Sequence, residues 1–323
     1  MASGLAQVPS SRDRQRGVAL ITVLLVFALV AVLAAAMLER AQLCQRSAAN
    51  LIGSRQAWHY ALGGEAYARQ LLANDLREGE RGVDLLTEAW ARVDASQLFE
   101  IDAGEMTIEI ADLQARFNLN NLVTGEGAPD AAQRAQLLRL LTVLGLDAKL
   151  ADQWQDWIDP DREPLPAGGE DGAFSDLLAA NRPEAHSSAL RQMPSLSAEQ
   201  YHRLAPFVTT LPAFVPVNVN TAPAEVLRAL SPIIDDSTAS RIISRQQRGG
   251  FATTQAFIDF VGAAATGLAG QVSVDSSYFE VTVTVNIGDY WQRLRTVLRR
   301  DNNAGAIHVV ARERLSLSEE IRP

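Results

Sequence analysis

The chain reads Arg12-Asp-Arg-Gln-Arg-Gly17 and then, without a break, VALITVLLVFALVAVLAAAML from Val18 to Leu38. Thr22 is the one polar residue in that run. A helix over it measures about 31 Å, enough to cross the roughly 30 Å hydrocarbon core of a bilayer. Arg12, Arg14 and Arg16 hold the N-terminal end in the cytoplasm by the positive-inside rule, so everything after Leu38 lies across the membrane. Beyond Leu38 the helical pattern continues to about Leu72, with Ala41, Ala48, Leu51, Ile52, Trp58 and Leu62 at helical spacing. Gly63-Gly64 weakens this stretch and is a candidate bend.

Three processing schemes fit the N-terminus: a secretory signal cleaved near Ala34–Ala36, a plain transmembrane anchor, and a prepilin leader cut between Gly17 and Val18. Only the third accounts for a glycine at the junction of basic leader and apolar run. Position five after that cut is Thr22, where pilin-type N-termini usually carry Glu to meet a neighbouring subunit's terminal amine. A carboxylate in lipid is kept only with a partner, so Thr22 fits a subunit with nothing above it in a filament.

The length of 323 residues allows two domains after the anchor, and 47% hydrophobic residues support packed cores. The net charge of −9, with a basic leader, makes the exported part more acidic still. That argues against an extended nucleic-acid surface and suits cation binding. The lone Cys44 forms no internal disulfide and reads as a small packed residue.

Strand periodicity is confined to two distant places. Met106, Ile108 and Ile110 alternate with polar residues over Glu105–Ala111. Tyr278–Ile287, Trp291–Arg299 and Ala306–Arg312 close the chain, the first two joined at Gly288-Asp289. Between these places the pattern is helical: Asp130–Leu144, Asp147–Trp157, a helix after the Ser197–Gln200 capping box, one capped by Thr221, then Ser237–Arg245 and Thr254–Val261. A further helix over Val83–Val93 is expected, with Asp84, Glu88 and Arg92 spaced for solvated pairs. The fold class is therefore α+β: a long helix on an antiparallel sheet, with a large all-α domain inserted between strands.

Two stretches could carry binding chemistry. Asp156, Asp159, Asp161, Glu163, Glu170 and Asp171 crowd a Pro/Gly-rich loop, and such oxygen ligands suit Ca²⁺. The spacing from Asp159 to Glu170 is that of an EF-hand loop, but Pro164 stands where that loop needs Gly. Spacing alone leaves calcium and a solvated acidic turn both open. Val217–Phe260 looks like a helix-hairpin-helix (SAM-like) module, yet its hairpin reads SPIIDDSTAS, with Asp235 and Asp236 where a phosphate would approach. Arg241, Arg245 and Arg248 supply positive charge that the acidic pair opposes, so a membrane-anchored DNA-binding protein is the weaker alternative. His59, His186, His202 and His308 are scattered, and no catalytic motif is present, so an enzyme is not expected.

The leader RGVALITVLL, LQARFNLNNL at Leu113–Leu122, WQDWIDPDREPLPAGGED at Trp154–Asp171, VNVNTAPAEVLRAL at Val217–Leu230 and the YFEVTV strand together resemble the minor pseudopilin K family of type II secretion systems (general secretion pathway protein K). The resemblance covers essentially the whole chain. It implies a type IV pilin-like fold divided as 1–17 leader, 18–38 transmembrane half-helix, 39–116 first pilin-like part, 117–274 helical insert and 275–323 second pilin-like part. It implies a non-enzymatic subunit that starts the periplasmic pseudopilus and limits its length, at its tip with I- and J-type minor pseudopilins and above the major pseudopilin. Such a protein serves export of folded proteins across the outer membrane, and its insert is a candidate contact for secreted substrates. Prepilin peptidase would cut at Gly17 and methylate the new amine of Val18, leaving a single-pass inner-membrane protein with its bulk in the periplasm and no nucleic-acid partner. Structural Ca²⁺ is implied in the acidic loop, on Asp159, Asp161, Glu170 and Asp171, with Asp156 and Glu163 less firmly placed. One departure is Gly169, where the family usually has Ala; the acidic ligands are expected to be untouched by it.

Overall fold

The computed structural model describes residues 11–78, 82–93, 96–101, 104–174, 178–212 and 214–315, with backbone alone at 11–17 and 263–264. Residues 1–10 of the expected leader lie outside the described residues. The chain forms two compact units, Met1–Trp58 and His59–Pro323.

Helix α1, Ser11–Glu78, supplies all the described structure of the first unit. The Gly17–Val18 junction lies within it. Its most apolar window has a mean hydropathy of 3.1 and is not buried at all. Apolar surface on that scale requires lipid or other protein around it. Thr22 Oγ1 donates to the carbonyl of Val18 at 2.8 Å, so the hydroxyl is satisfied within its own helix. Cys44 is exposed rather than packed.

In the second unit the strands β1 (Leu98–Ile101), β2 (Gly104–Asp112), β7 (Tyr278–Ile287), β8 (Tyr290–Arg300) and β9 (Ile307–Leu315) pair antiparallel in that order. Val281, Val283 and Val285 turn inward while Thr282 and Thr284 stay half-buried, the period-two pattern read from the sequence. The last turns of α1 meet this inner face at Gly64 and Glu65, and Ala61, Ala68 and Leu72 on the same helical stripe are buried. The helix runs unbroken through Gly63-Gly64. A Cβ on Gly64 would stand 2.7 Å from Val283 Cγ1, so the glycine is there for close approach to the sheet.

One carboxylate crosses that contact. Glu65 is 2% exposed and takes Arg312 Nε at 2.7 Å, an Arg312 terminal nitrogen at 2.8 Å and Thr296 Oγ1 at 3.0 Å. Burial opposes its ionisation, but the hydrogen bonds and charge of Arg312, with Thr296, hold it below the usual 4.5. Its stabilisation is therefore present above pH 4.5 and lost as pH falls through the folded value. Glu65→Gln is expected to cost about 1–3 kcal/mol at neutral pH and to converge on the unsubstituted chain under acid, read by denaturant unfolding at a series of pH values.

Between β2 and β7 the chain builds two helical lobes. The first contains β3 (Phe117–Asn118), α2 (Ala131–Val143), α3 (Lys149–Ile158), α4 (Ala198–Leu204) and β4 (Val208–Thr209) around Trp154, Leu137, Leu140 and Phe174. The second contains β5 (Val217–Asn218), α5 (Ala224–Leu230), α6 (Asp236–Gln246), α7 (Thr254–Val261) and β6 (Val272–Ser273) around Val219, Leu227, Ile242 and Phe257. The Ser197–Gln200 capping box forms as read. Thr221 does not cap α5; its hydroxyl donates to Asp112 Oδ2 at 2.6 Å.

The helix expected over Val83–Val93 is reduced to a 3-10 turn at Trp90–Arg92. Asp84 is committed elsewhere: it is 1% exposed and bonded by Arg300 of β8 and by the amide of Ser276. Arg300 also reaches Asp75 and the carbonyl of Ser276, and lies over the ring of Phe279. Next to it the buried Asp112 carboxylate accepts from Gln114, Thr221 and Ser276. This polar joint ties the sheet to the second lobe.

Candidate metal centre

Asp152 and Asp156 are four residues apart on α3, so their side chains share one stripe, and Asp159 is the cap at its C-terminal end. The negative end of the helix dipole falls at the same place. Asp156 and Asp159 thus stand at the C-terminal end of α3, where the helix dipole favours a cation, while Asp152 lies in its first turn. Trp154 and Trp157 fill the core behind them, Trp157 edge-on to Phe174 with its Nε1 donating to Glu184. Both are buried core residues.

After Asp159 the chain leaves α3 and returns at Gly168–Asp171. Asp159, Asp161 and Glu170 each place a carboxylate oxygen within 4.8 Å of the others. Asp159 is buried, Glu170 half-buried and Asp161 exposed. Oδ1 of Asp156, Oδ1 of Asp159, both carboxylate oxygens of Glu170 and Oε1 of Gln155 are buried with no hydrogen-bond partner among the described residues. Burial first, and then the charges of Asp161, Asp156 and Glu170, push the Asp159 carboxyl up to about 7. Burial and neighbouring carboxylates raise Asp156 and Glu170 as well. Hard oxygens that are buried, unbonded and mutually repelling fit the donor chemistry of a divalent cation of the calcium type.

The other acidic residues have different work. Asp171 Oδ1 accepts from the amide of Ala179 at 3.1 Å, and Asp171 is not among the three gathered oxygens. Asp161 Oδ1 accepts from the amide of Glu163, whose own side chain is exposed. Asp152 is paired with Arg134. Asp156 enters the site on burial, which spacing could not reveal: its Oδ2 takes the amides of Leu165 and Gly169 at 2.9 and 2.7 Å, leaving Oδ1 inward.

Two glycines set this return. A Cβ on Gly168 would stand 2.0 Å from Asp156 Oδ2 and 3.0 Å from the Asp152 carbonyl. Gly168→Ala is expected to displace Asp156 from its two amides and cost about 1–3 kcal/mol, with weaker cation binding by calorimetric titration. A Cβ on Gly169 would stand 2.4 Å from that of Ala173. Alanine there requires the segment at Gly169 or the one at Ala173 to shift.

A second acidic trio, Asp75, Asp84 and Glu88, already holds a cation: Arg300 bonds Asp75 at 2.8 Å and Asp84 at 2.5 Å. In the helix-hairpin-helix segment, Asp235 caps α6, taking the amide of Thr238 at 2.8 Å, and Asp236 pairs with Arg228. Hydrogen bonds from Thr238, and then Ser237, hold the Asp235 carboxyl below its usual range. Arg241 lies over Phe260, Arg245 bonds the Gly250 carbonyl, and Arg248 bonds the Ser244 carbonyl. The amide that would greet a phosphate at α6 is occupied by a carboxylate.

Comparison with known proteins gives a consistent family. Models described as type II secretion system (T2SS), protein K, match residues 115–213 and 217–282. The type II secretion system protein K of Pseudomonas aeruginosa is 41% identical over 321 residues, covering 94% of this chain and 93% of that protein. That of Aeromonas hydrophila is 34% identical over 319 residues, covering 91% and 95%. The crystal structure of the GspK-GspI-GspJ complex from enterotoxigenic Escherichia coli contains a chain with the same fold, with a TM-score of 0.71 at 23% identity over 83% of this chain and 98% of that one. The long helix on an antiparallel sheet, the two-lobed helical insert and the matches across both lobes agree: the chain belongs to the type II secretion system protein K family.

Proposed function

We propose that this chain is a minor pseudopilin that occupies the tip of a periplasmic pseudopilus, where it starts assembly and limits length during export of folded proteins. The observation that carries this reading is the two-lobed insert between β2 and β7, a helical mass added to the pilin-like sheet that would stand in the way of a subunit stacked above. Thr22 supports it, since its hydroxyl is satisfied by Val18 and asks for no terminal amine from a subunit above. The related Escherichia coli structure is a complex with GspI and GspJ, and I- and J-type minor pseudopilins are the partners this chain takes by likeness. Prepilin peptidase processing at Gly17–Val18 and insertion of the Val18–Leu38 run in the inner membrane, with the bulk in the periplasm, complete the reading.

The role is structural. Asp159, Asp161 and Glu170, with Asp156 beside them, would hold Ca²⁺, which supplies the positive charge that the buried carboxylates of this loop lack. Asp171 adds negative charge next to Glu170. With the loop pinned, Trp157 and Phe174 keep the first lobe closed behind it.

Deletion of the gene in the native host is the test. Loss of secretion and of pseudopilus assembly, restored by the chain in trans, is expected; unchanged assembly and secretion would refute the reading. Intact-mass analysis of the membrane-bound protein should show a start at methylated Val18.

A further inference from the structure

The face of the sheet turned away from α1 is not flat against the first lobe. A cleft of about 600 Å³ lies between them, within the range of ligand sites. Its floor crosses three strands, through Thr282 of β7, Arg293 and Arg295 of β8 and Glu313 of β9. Its wall carries Arg191, from the 3-10 turn Ser187–Gln192, with Tyr201 and His202 of α4. Arg116 lines it as well.

The charge of this cleft is opposite to that of the molecule. Four guanidinium groups line it against the two carboxylates Glu280 and Glu313, in a chain of net charge −9. Glu280 is shared at long range, 3.7 Å from Arg116 and 3.9 Å from Arg295. Arg295 also bonds Glu313 and meets the ring of His186. Burial and the charge of Arg295 keep His186 below its usual protonation range, consistent with a positive field. His186 and His202 share this one cleft.

We propose that this cleft binds an acidic, extended peptide segment of a partner protein, its carboxylates set against Arg116, Arg293 and Arg295. The planar guanidinium fork matches a carboxylate in two parallel bonds. The three-strand floor is about 10 Å across, and acidic residues two apart in an extended segment project from one face about 7 Å apart. The site is distinct from the acidic loop and rests on the tip-subunit reading only for where the partner is met.

The test is fluorescence anisotropy of a labelled Glu-Thr-Glu-Thr peptide against the full chain in zwitterionic nanodiscs, with Gln-Thr-Gln-Thr as control. The acidic peptide is expected to bind at least about tenfold tighter, and Arg293→Gln with Arg295→Gln to remove that margin, while Arg241→Gln, outside the cleft, leaves it intact. Arg295→Lys keeps the charge without the fork, so weaker binding with unchanged thermal unfolding separates recognition from folding. Equal affinity for the two peptides, or an equal loss with Arg241→Gln, overturns the proposal. So does a roughly tenfold gain on removing residues 316–323 alone, which would make the chain's own terminal residues the occupant. Failure here with secretion still dependent on the gene would leave the tip-subunit reading standing.

Discussion

Arg300→Met is expected to destabilise the second unit by about 3–5 kcal/mol, because it leaves a buried carboxylate without its cation. Arg300 is 2% exposed and Asp84 1%, so water does not replace the lost bonds. Methionine restores much of the volume over Phe279, which keeps the loss one of pairing rather than of packing. The double variant Arg300→Met with Asp84→Asn should recover a large part, since the orphaned charge is then gone. The deficit also has a pH sign. Burial pushes the Asp84 carboxyl up to about 7, against the pull of Arg300. A carboxyl raised in the folded chain above its usual 3.8 contributes stability that falls as pH rises through the folded value. Without Arg300 the folded value moves higher, so the deficit grows above neutrality. Thermal unfolding of the full chain in detergent at acid and alkaline pH checks this. A deficit under about 1 kcal/mol, the scale of an exposed ion pair, would show that the joint does not hold sheet and lobe together.

Calcium chelation is expected to have an effect of similar size. A ligand at a thousand times its dissociation constant stabilises the folded state by about 4 kcal/mol. Full chain in excess EGTA should unfold well below the same chain in millimolar calcium. Asp159→Asn with Glu170→Gln should abolish the difference and raise the calcium-free midpoint, because the repelling carboxylates are relieved. Asp171→Asn should keep most of the calcium response, since its Oδ1 serves the Ala179 amide. Identical unfolding in EGTA and calcium would reduce the loop to a solvated acidic turn.

The sheet was legible because alternation is a short-range signal: Tyr278–Ile287 is found with the bounds its pattern predicts, and α7 likewise. The edge strand Leu98–Ile101 was missed, being four residues long and paired on one side only. Val83–Val93 was misread because Asp84, Glu88 and Arg92 have helical spacing, while the partner that decides Asp84 lies 216 residues away. In the acidic loop the ligand types were legible from composition. Which of them face inward was not: Asp156 is selected by its position on a helix buried on every side, and Asp171 is drawn off by an amide eight residues on.

The asparagines of Leu113–Leu122 act as substitutes for missing strands. Asn118 Oδ1 accepts the amide of Leu211 at 2.9 Å, and Asn121 takes both the amide and the carbonyl of Val215. Asn120 does the same for Glu184 and adds the carbonyl of Leu211. Side-chain amides thus complete the backbone pairing of connecting segments that have no ladder of their own. In hydrogen–deuterium exchange, the amides of Glu184, Leu211 and Val215 should therefore be released with the core of the first lobe rather than with surface loops. Local opening of those segments would have to break buried amide pairs, so the connections between the lobes belong to the same cooperative unit as the helices they join.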